Sequence, residues 1–147
     1  MDSVFSKLQE AVVARLKRRS DLKGVPVILR KNGIAATIRE SVAKFGLCVV
    51  VMPPRPKDAD PTQGTPIFTQ VVLTVRVVEN AFRLHAGPDS MEVAEIVTRA
   101  LQAWQPQTVG ITAPLAIDGD DAWSLDDEPD KKGRYTIEIK FNTSATV

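Results

Sequence analysis

Apolar residues recur at helical spacing from the start of the chain. Phe5, Leu8, Val12 and Leu16 form one stripe, which predicts a helix from about Ser3 to Arg19. Ser3 is placed to cap it, and Lys17, Arg18 and Arg19 fall in the last turn, where cations suit the negative end of the helix dipole. Val25 to Leu29 reads as a short strand. Pro26 cannot donate to a ladder, so it marks either an edge strand or the start of the strand. Asn32-Gly33 is a hairpin signal, with Ile34, Ala36 and Ile38 as the returning alternation. Ile34, Ile38, Val42 and Phe45 also make a helical stripe, with Gly46 where a helix end favours positive φ. The length of the pattern favours a helix from about Gly33 to Phe45.

Leu47 to Met52 is continuously apolar and largely β-branched, which predicts a strand buried on both faces, with Cys48 a small buried hydrophobe. Pro53-Pro54 stops it, and Arg55 to Thr65 has the Pro, Asp and Gly content of an exposed loop. Pro66 to Glu79 is the longest predicted strand, the second arm of a long-tipped hairpin. Ile67, Val71, Leu73, Val75 and Val77 lie on one face, and Gln70, Thr74 and Arg76 on the other. Asp89 with Glu92 has capping-box spacing and opens a helix whose stripe is Val93, Val97, Leu101 and Trp104, ended by Gln105-Pro106. A strand near Thr112–Ile117 then leads into an acidic loop, Asp118 to Asp130. The return strand, Arg134 to Asn142, turns Tyr135, Ile137, Ile139 and Phe141 inward and Thr136, Glu138 and Lys140 outward. The order α-β-α-β-β-α-β-β is best met by one α+β domain over residues 1–147. It would hold a mixed, mostly antiparallel sheet with about three helices packed on a face.

Composition adds bounds to this frame. At 147 residues with 44% hydrophobic and 25% charged, the chain has the balance of an ordinary globular domain, but only 5% is aromatic, so Val, Ile, Leu and Ala must carry the core. No apolar run approaches the ~20 residues that span a bilayer. Met1-Asp2-Ser3-Val4 lacks the layout of a secretory signal. A lone cysteine allows no internal disulfide, and use in a reducing cytosol is expected. Residues 1–73 carry 12 Lys/Arg against 6 Asp/Glu and residues 74–147 carry 7 against 12, so halves of +6 and −5 make up the net +1. If those halves occupy different faces, the basic side of one copy can meet the acidic side of another. Contacts of that head-to-tail kind close into rings or run on as filaments. If strand pairing interleaves the halves, the asymmetry averages out.

Candidate chemistry is sparse. The one histidine, His85, follows Phe82-Arg83-Leu84 and reads as a surface or loop residue, and no Ser or Cys sits in a nucleophile-elbow context. Asp118-Gly119-Asp120-Asp121 has oxygen ligands a hard cation would accept, but it lacks the alternation and closing Glu of a calcium loop, so a solvated loop is expected. No catalytic, metal or cofactor site is assigned. Arg15, Lys17, Arg18, Arg19, Lys23, Arg30 and Lys31 are close in sequence; a patch of Lys17, Arg18, Arg19, Arg30 and Lys31 would suit phosphates, although aromatics for base stacking are missing there. A nucleic-acid-binding accessory domain is therefore one alternative, and a small ligand-binding domain another. Trp104 is expected in the core. Trp123, in Ala122-Trp123-Ser124-Leu125, either anchors a partner or folds back. Candidate interaction loops are Arg55, Lys57, Asp58 and Asp60, and Asp120, Asp121, Trp123, Asp126 and Asp127.

Several of these segments follow one another in a known order. Val4-Phe5-Ser6-Lys7-Leu8 opens a first helix, and Ile34, Ile38, Val42 and Phe45-Gly46 run into Leu47-Cys48-Val49-Val50-Val51. Then come a long-tipped hairpin ending Val71 to Val77 and the helix Glu92 to Trp104. Over about two-thirds of the chain this resembles the tail terminator and tail completion proteins of long-tailed phages and prophages. The resemblance implies a small α+β subunit of a homo-oligomeric ring, typically hexameric, that caps the tail tube and meets the head–tail connector. It also implies assembly in the host cytosol followed by residence in the virion tail, with no catalytic residues. The insert 118–130 has no counterpart in that pattern.

Overall fold

The computed structural model describes residues 3–30, 35–57, 68–80, 88–119, 122–126, 128–131 and 133–146. The first helix, α1 (Val4–Lys17), begins where Ser3 Oγ accepts the Phe5 N–H at 3.1 Å. It buries Leu8, Val12 and Leu16 completely. A short turn of 3₁₀ helix, Ser20–Leu22, leads to β1 (Val27–Leu29), an edge strand with Pro26 just before it, so the missing N–H interrupts no ladder. Helix α2 (Ala35–Phe45) closes on Gly46 at φ +82°, whose N–H donates to Val42 O at 2.9 Å. The hairpin alternative is thereby set aside for residues 35–45; Asn32, Gly33 and Ile34 lie outside the described residues.

Strand β2 (Leu47–Val51) is buried at every position. It lies parallel to β1 and antiparallel to β4 (Phe68–Asn80), which pairs along its whole length with β7 (Arg134–Thr146). These two strands of 13 residues are the spine of a mixed sheet with seven strands among the described residues. Among the described residues the order is β1-β2-β4-β7, followed by the short strand β5 (Ala116–Ile117). The length of the spine explains three departures from the sequence pattern. Half of β4 reaches beyond β2, and past Pro53-Pro54 the chain continues in the same direction as β3 (Arg55–Lys57) to pair there, Arg55 opposite Val72, so the start of the predicted loop is a strand. Its proline sits on an outer strand, where it is tolerated. The free side of β7 is filled by β5 and by β6 (Trp123–Leu125), so the acidic segment also contains a strand. Together with the Ile111–Ala145 bridge, these make one broken antiparallel edge. Finally, β7 runs past Asn142. Its inward positions there are Thr143 and Ala145, which lack a strong apolar signal, and Thr143 Oγ1 instead donates to Ala113 O at 2.7 Å.

Helix α3 (Ser90–Leu101) starts at Asp89, whose Oδ1 accepts the Glu92 N–H at 2.8 Å. It ends three residues short of Trp104, because Gln102 turns extended and Ala103 takes φ 64°. The Ala103 N–H then donates to Leu115 O at 2.8 Å, and the Leu115 N–H to Trp104 O at 2.9 Å. Helices α1 and α3 cover one sheet face, where Val71, Leu73, Val75, Val77, Ile137, Ile139 and Phe141 are fully buried. Helix α2 lies on the other face, with Ile38 and Val42 on Cys48, Val50, Met52 and Val78. The sheet is thus covered from both sides, not one. Phe45, the last residue of the predicted stripe, is 46% exposed.

One glycine is demanded by space. Gly110 (φ +98°) passes over the start of α1, where a Cβ would meet Val4 Cγ2 at 2.9 Å and Thr146 O at 3.1 Å. Its carbonyl accepts the Thr146 N–H at 2.7 Å.

Candidate functional site

Outward residues of β4 and β7 pair by register, and α2 covers only the β1–β2 side of their face. What remains is an open concavity of about 670 Å³ beside α2. Its walls bring four guanidinium groups from four elements or their ends, Arg30, Arg39, Arg76 and Arg134, together with Asp126, Asp130 and Glu138. Arg76 and Glu138 are register partners, and Nε meets Oε1 at 2.7 Å. Asp126 and Asp130 hold turns: Asp126 Oδ2 accepts the Thr136 N–H and Asp130 Oδ1 the Arg134 N–H, both at 2.9 Å. Such a surface suits a polar partner with charges of both signs. Ser124 and Thr136 supply hydroxyls to it. Under the same face, burial pushes the Cys48 thiol up to about 12 despite the opposing pull of Arg134.

The basic patch expected from sequence is divided. Lys17, Arg18, Arg19 and Lys23 share a second concavity of about 560 Å³ below the start of β1, while Arg30 lines the first. Arg19 is paired with Asp21 at 2.8 Å, and its hydrogen bond draws that carboxyl below its ordinary range. Arg15 shares a further concavity with Arg18 and Arg19, where its Nε donates to Ala100 O at 2.6 Å and the guanidinium stacks 4.6 Å above Trp104, which is half-buried beyond the end of α3. Lys31 lies outside the described residues.

Of the interaction loops, Arg55 is exposed on β3, Lys57 is its last strand residue, and Asp58, Asp60, Asp120, Asp121 and Asp127 lie outside the described residues, as does His85. Trp123 folds back onto α3, where Nε1 donates to Thr98 Oγ1 at 3.1 Å; Leu125 stays 40% exposed. Asp118 Oδ1 accepts from Asn142 Nδ2 at 2.7 Å. Asp118, Asp126 and Asp130 therefore tie the broken edge to β7 by hydrogen bonds. Among the described residues, no group of three His, Cys, Asp or Glu is placed to hold a metal ion, and no helix is long and apolar enough to cross a membrane.

Strand alternation marks Arg76 and Glu138 as outward, but it does not join them to Arg39 and Arg134. The missing information was register.

The sequence matches no protein-family model and no curated protein. Among solved structures, a chain of the virion of a native gene transfer agent particle has the same fold, with a TM-score of 0.65 at 17% identity. The match covers 99% of this chain and 100% of that one. A second solved chain, whose name carries no function, matches with a TM-score of 0.52 and 16% identity over 97% of this chain and 92% of its own.

Proposed function

We propose that this chain is a structural subunit of a phage or phage-like particle, acting without catalysis as a tail terminator or completion protein. It assembles into a homo-oligomeric ring that contacts the tail tube on one side and the head–tail connector on the other. It forms in the host cytosol and stays with the tail. The observation that carries this reading is the end-to-end likeness to a virion chain of the same extent: neither chain has a large part that the other lacks. The open concavity of mixed charge supports it as a surface suited to protein contact. The nucleic-acid alternative loses support because Arg30 lines a different concavity from Lys17, Arg18 and Arg19, and Arg19 is already paired with Asp21.

The deciding experiment is absolute mass by light scattering over a range of protein and salt concentrations, alone and with tail-tube protein. A closed ring, or a monomer that closes into one on adding tube protein, is the expected result. A strict monomer that ignores tube protein overturns the reading. Salt-sensitive heparin retention abolished by neutralising Lys17, Arg18 and Arg19 would support the nucleic-acid alternative instead.

A further inference from the structure

We infer that neighbouring copies in this ring join edge to edge, β1 of one copy pairing antiparallel with β6 of the next. The inference rests on the ring reading above and names its contact surfaces.

The sheet ends in two unlike edges. On one side β1 pairs only with β2, and on the other β6 pairs only with β7, so no described strand lies beyond either. Hydrogen-bond alternation shows which groups face out. The Val49 N–H donates to Pro26 O and the Arg30 N–H to Val51 O, so residues 26, 28 and 30 turn toward β2, and the main chain of Val27 and Leu29 points outward. Likewise the Lys140 N–H donates to Ala122 O and the Asp126 N–H to Thr136 O, which turns the main chain of Trp123 and Leu125 outward. Each edge offers the same phase over three residues.

Direction and face also agree. Strand β1 is parallel to β2, and each step from β2 through β4 and β7 to β6 is antiparallel, so β1 and β6 run in opposite senses. Copies related by a rotation axis along the strands would therefore pair antiparallel. With Ile28 opposite Ser124, Val27 faces Leu125 and Leu29 faces Trp123. Val27, Leu29 and Trp123 all belong to the core under α1 and α3, whereas Ile28 packs with the α2 cluster and Ser124 lines the concavity on that side. This register keeps both faces continuous across the join, and a one-residue slip would invert them. It would form about four main-chain hydrogen bonds.

Charge decides the partner. The antiparallel register brings the approach to β1, with exposed Lys23, beside the exit of β6, with exposed Asp126 and Glu128. The first half of the chain is +6 and the second −5. The topology sends β1 and β2 to one edge and β5 and β6 to the other, so part of the asymmetry survives at the edges even though Arg30 and Arg39 share the concavity with Asp126, Asp130 and Glu138. A second copy supplies the complement each edge requires. The competing role of a charged, broken edge strand is to prevent such pairing.

The test is directed cross-linking in the full chain. Ile28→Cys and Ser124→Cys are made separately in a Cys48→Ala background. A non-hydrogen-bonded antiparallel pair brings side chains within disulfide reach. Mild oxidation of the mixture should give a covalent dimer that neither variant gives alone, and the double variant should give a ladder ending at the ring mass. A Val109→Cys/Ser124→Cys control should give no ladder. Lys23→Glu, checked for an unchanged melting temperature, should weaken self-association about fivefold to tenfold, with Glu128→Lys restoring it. A ring seen by light scattering without a disulfide between positions 28 and 124 overturns this join but leaves the ring reading standing. A chain that stays monomeric at every concentration, with tail-tube protein present as well as without it, and gives no cross-link overturns both.

Discussion

The two faces of the sheet are built differently from the same strands. Under α1 and α3, Val71, Leu73, Val75 and Val77 of β4 and Ile137, Ile139 and Phe141 of β7 are all completely buried. On the opposite face, α2 covers Cys48, Val50, Met52 and Val78, and the rest is the Arg- and carboxylate-lined concavity. One face is closed and supplies stability. The other is half open and leaves polar groups exposed to whatever meets it. The contrast shows that a single strand with period-two alternation holds two separate specifications, and that only the inner one is set by packing.

That inequality predicts a ranking. Phe141→Ala empties the closed face and should cost about 3–5 kcal/mol, whereas Ile38→Ala under α2 should cost about 2 kcal/mol. Urea unfolding of both variants checks this, and equal losses would abolish the distinction. Within the closed face, Gln9 is a buried polar exception whose Nε2 donates to Arg30 O and Val51 O, both at 2.8 Å. Gln9→Leu should cost about 1–3 kcal/mol by removing the side-chain donor from Arg30 O, while Val51 O keeps the Arg30 N–H. A neutral result would mean that water replaces it.

The α2 face can be read through Cys48. Its thiol titrates higher folded, at about 12, than the ordinary 9.0, so the stability it contributes is complete below about pH 9 and is lost as pH rises toward 12. Against Cys48→Ala, the wild type should lose up to about 1.4 kcal/mol per pH unit in that window. Parallel pH profiles would show that α2 does not keep Cys48 dry. The smallest effect is expected in the concavity. A double-mutant cycle on Arg76→Ala and Glu138→Ala should give a coupling of about 0.2–1 kcal/mol, because both side chains keep about a third of their exposure. A larger coupling would make this pair part of the fold rather than of the open surface.

Local rules made the helices legible. Ser3 and Asp89 cap where their side chains predict, and Gly46 ends α2. The inward residues of β4 and β7 were equally plain from alternation. The fates of Arg55–Lys57 and Trp123–Leu125 were hidden, because their pairing is decided by strands distant in sequence. Trp104 was misplaced for a related reason: its spacing continues the helix, but Ala103 leaves it to bond with Leu115. The concavity was the least legible of all, since Arg30, Arg39, Arg76 and Arg134 share no sequence period.

The position of β7 in the chain has a consequence during synthesis. The strand that fills the middle of the sheet comes after every other element described, yet it must slide between β4 and the broken edge of β5 and β6. Until it emerges from the ribosome, one long side of β4 has no mate, and the apolar undersides of α1 and α3 lack Ile137, Ile139 and Phe141. Closure then depends on contacts between segments far apart in sequence, the kind that form slowly. The nascent chain should accordingly be most sticky until β7 has emerged, and chaperone demand should be concentrated in that interval.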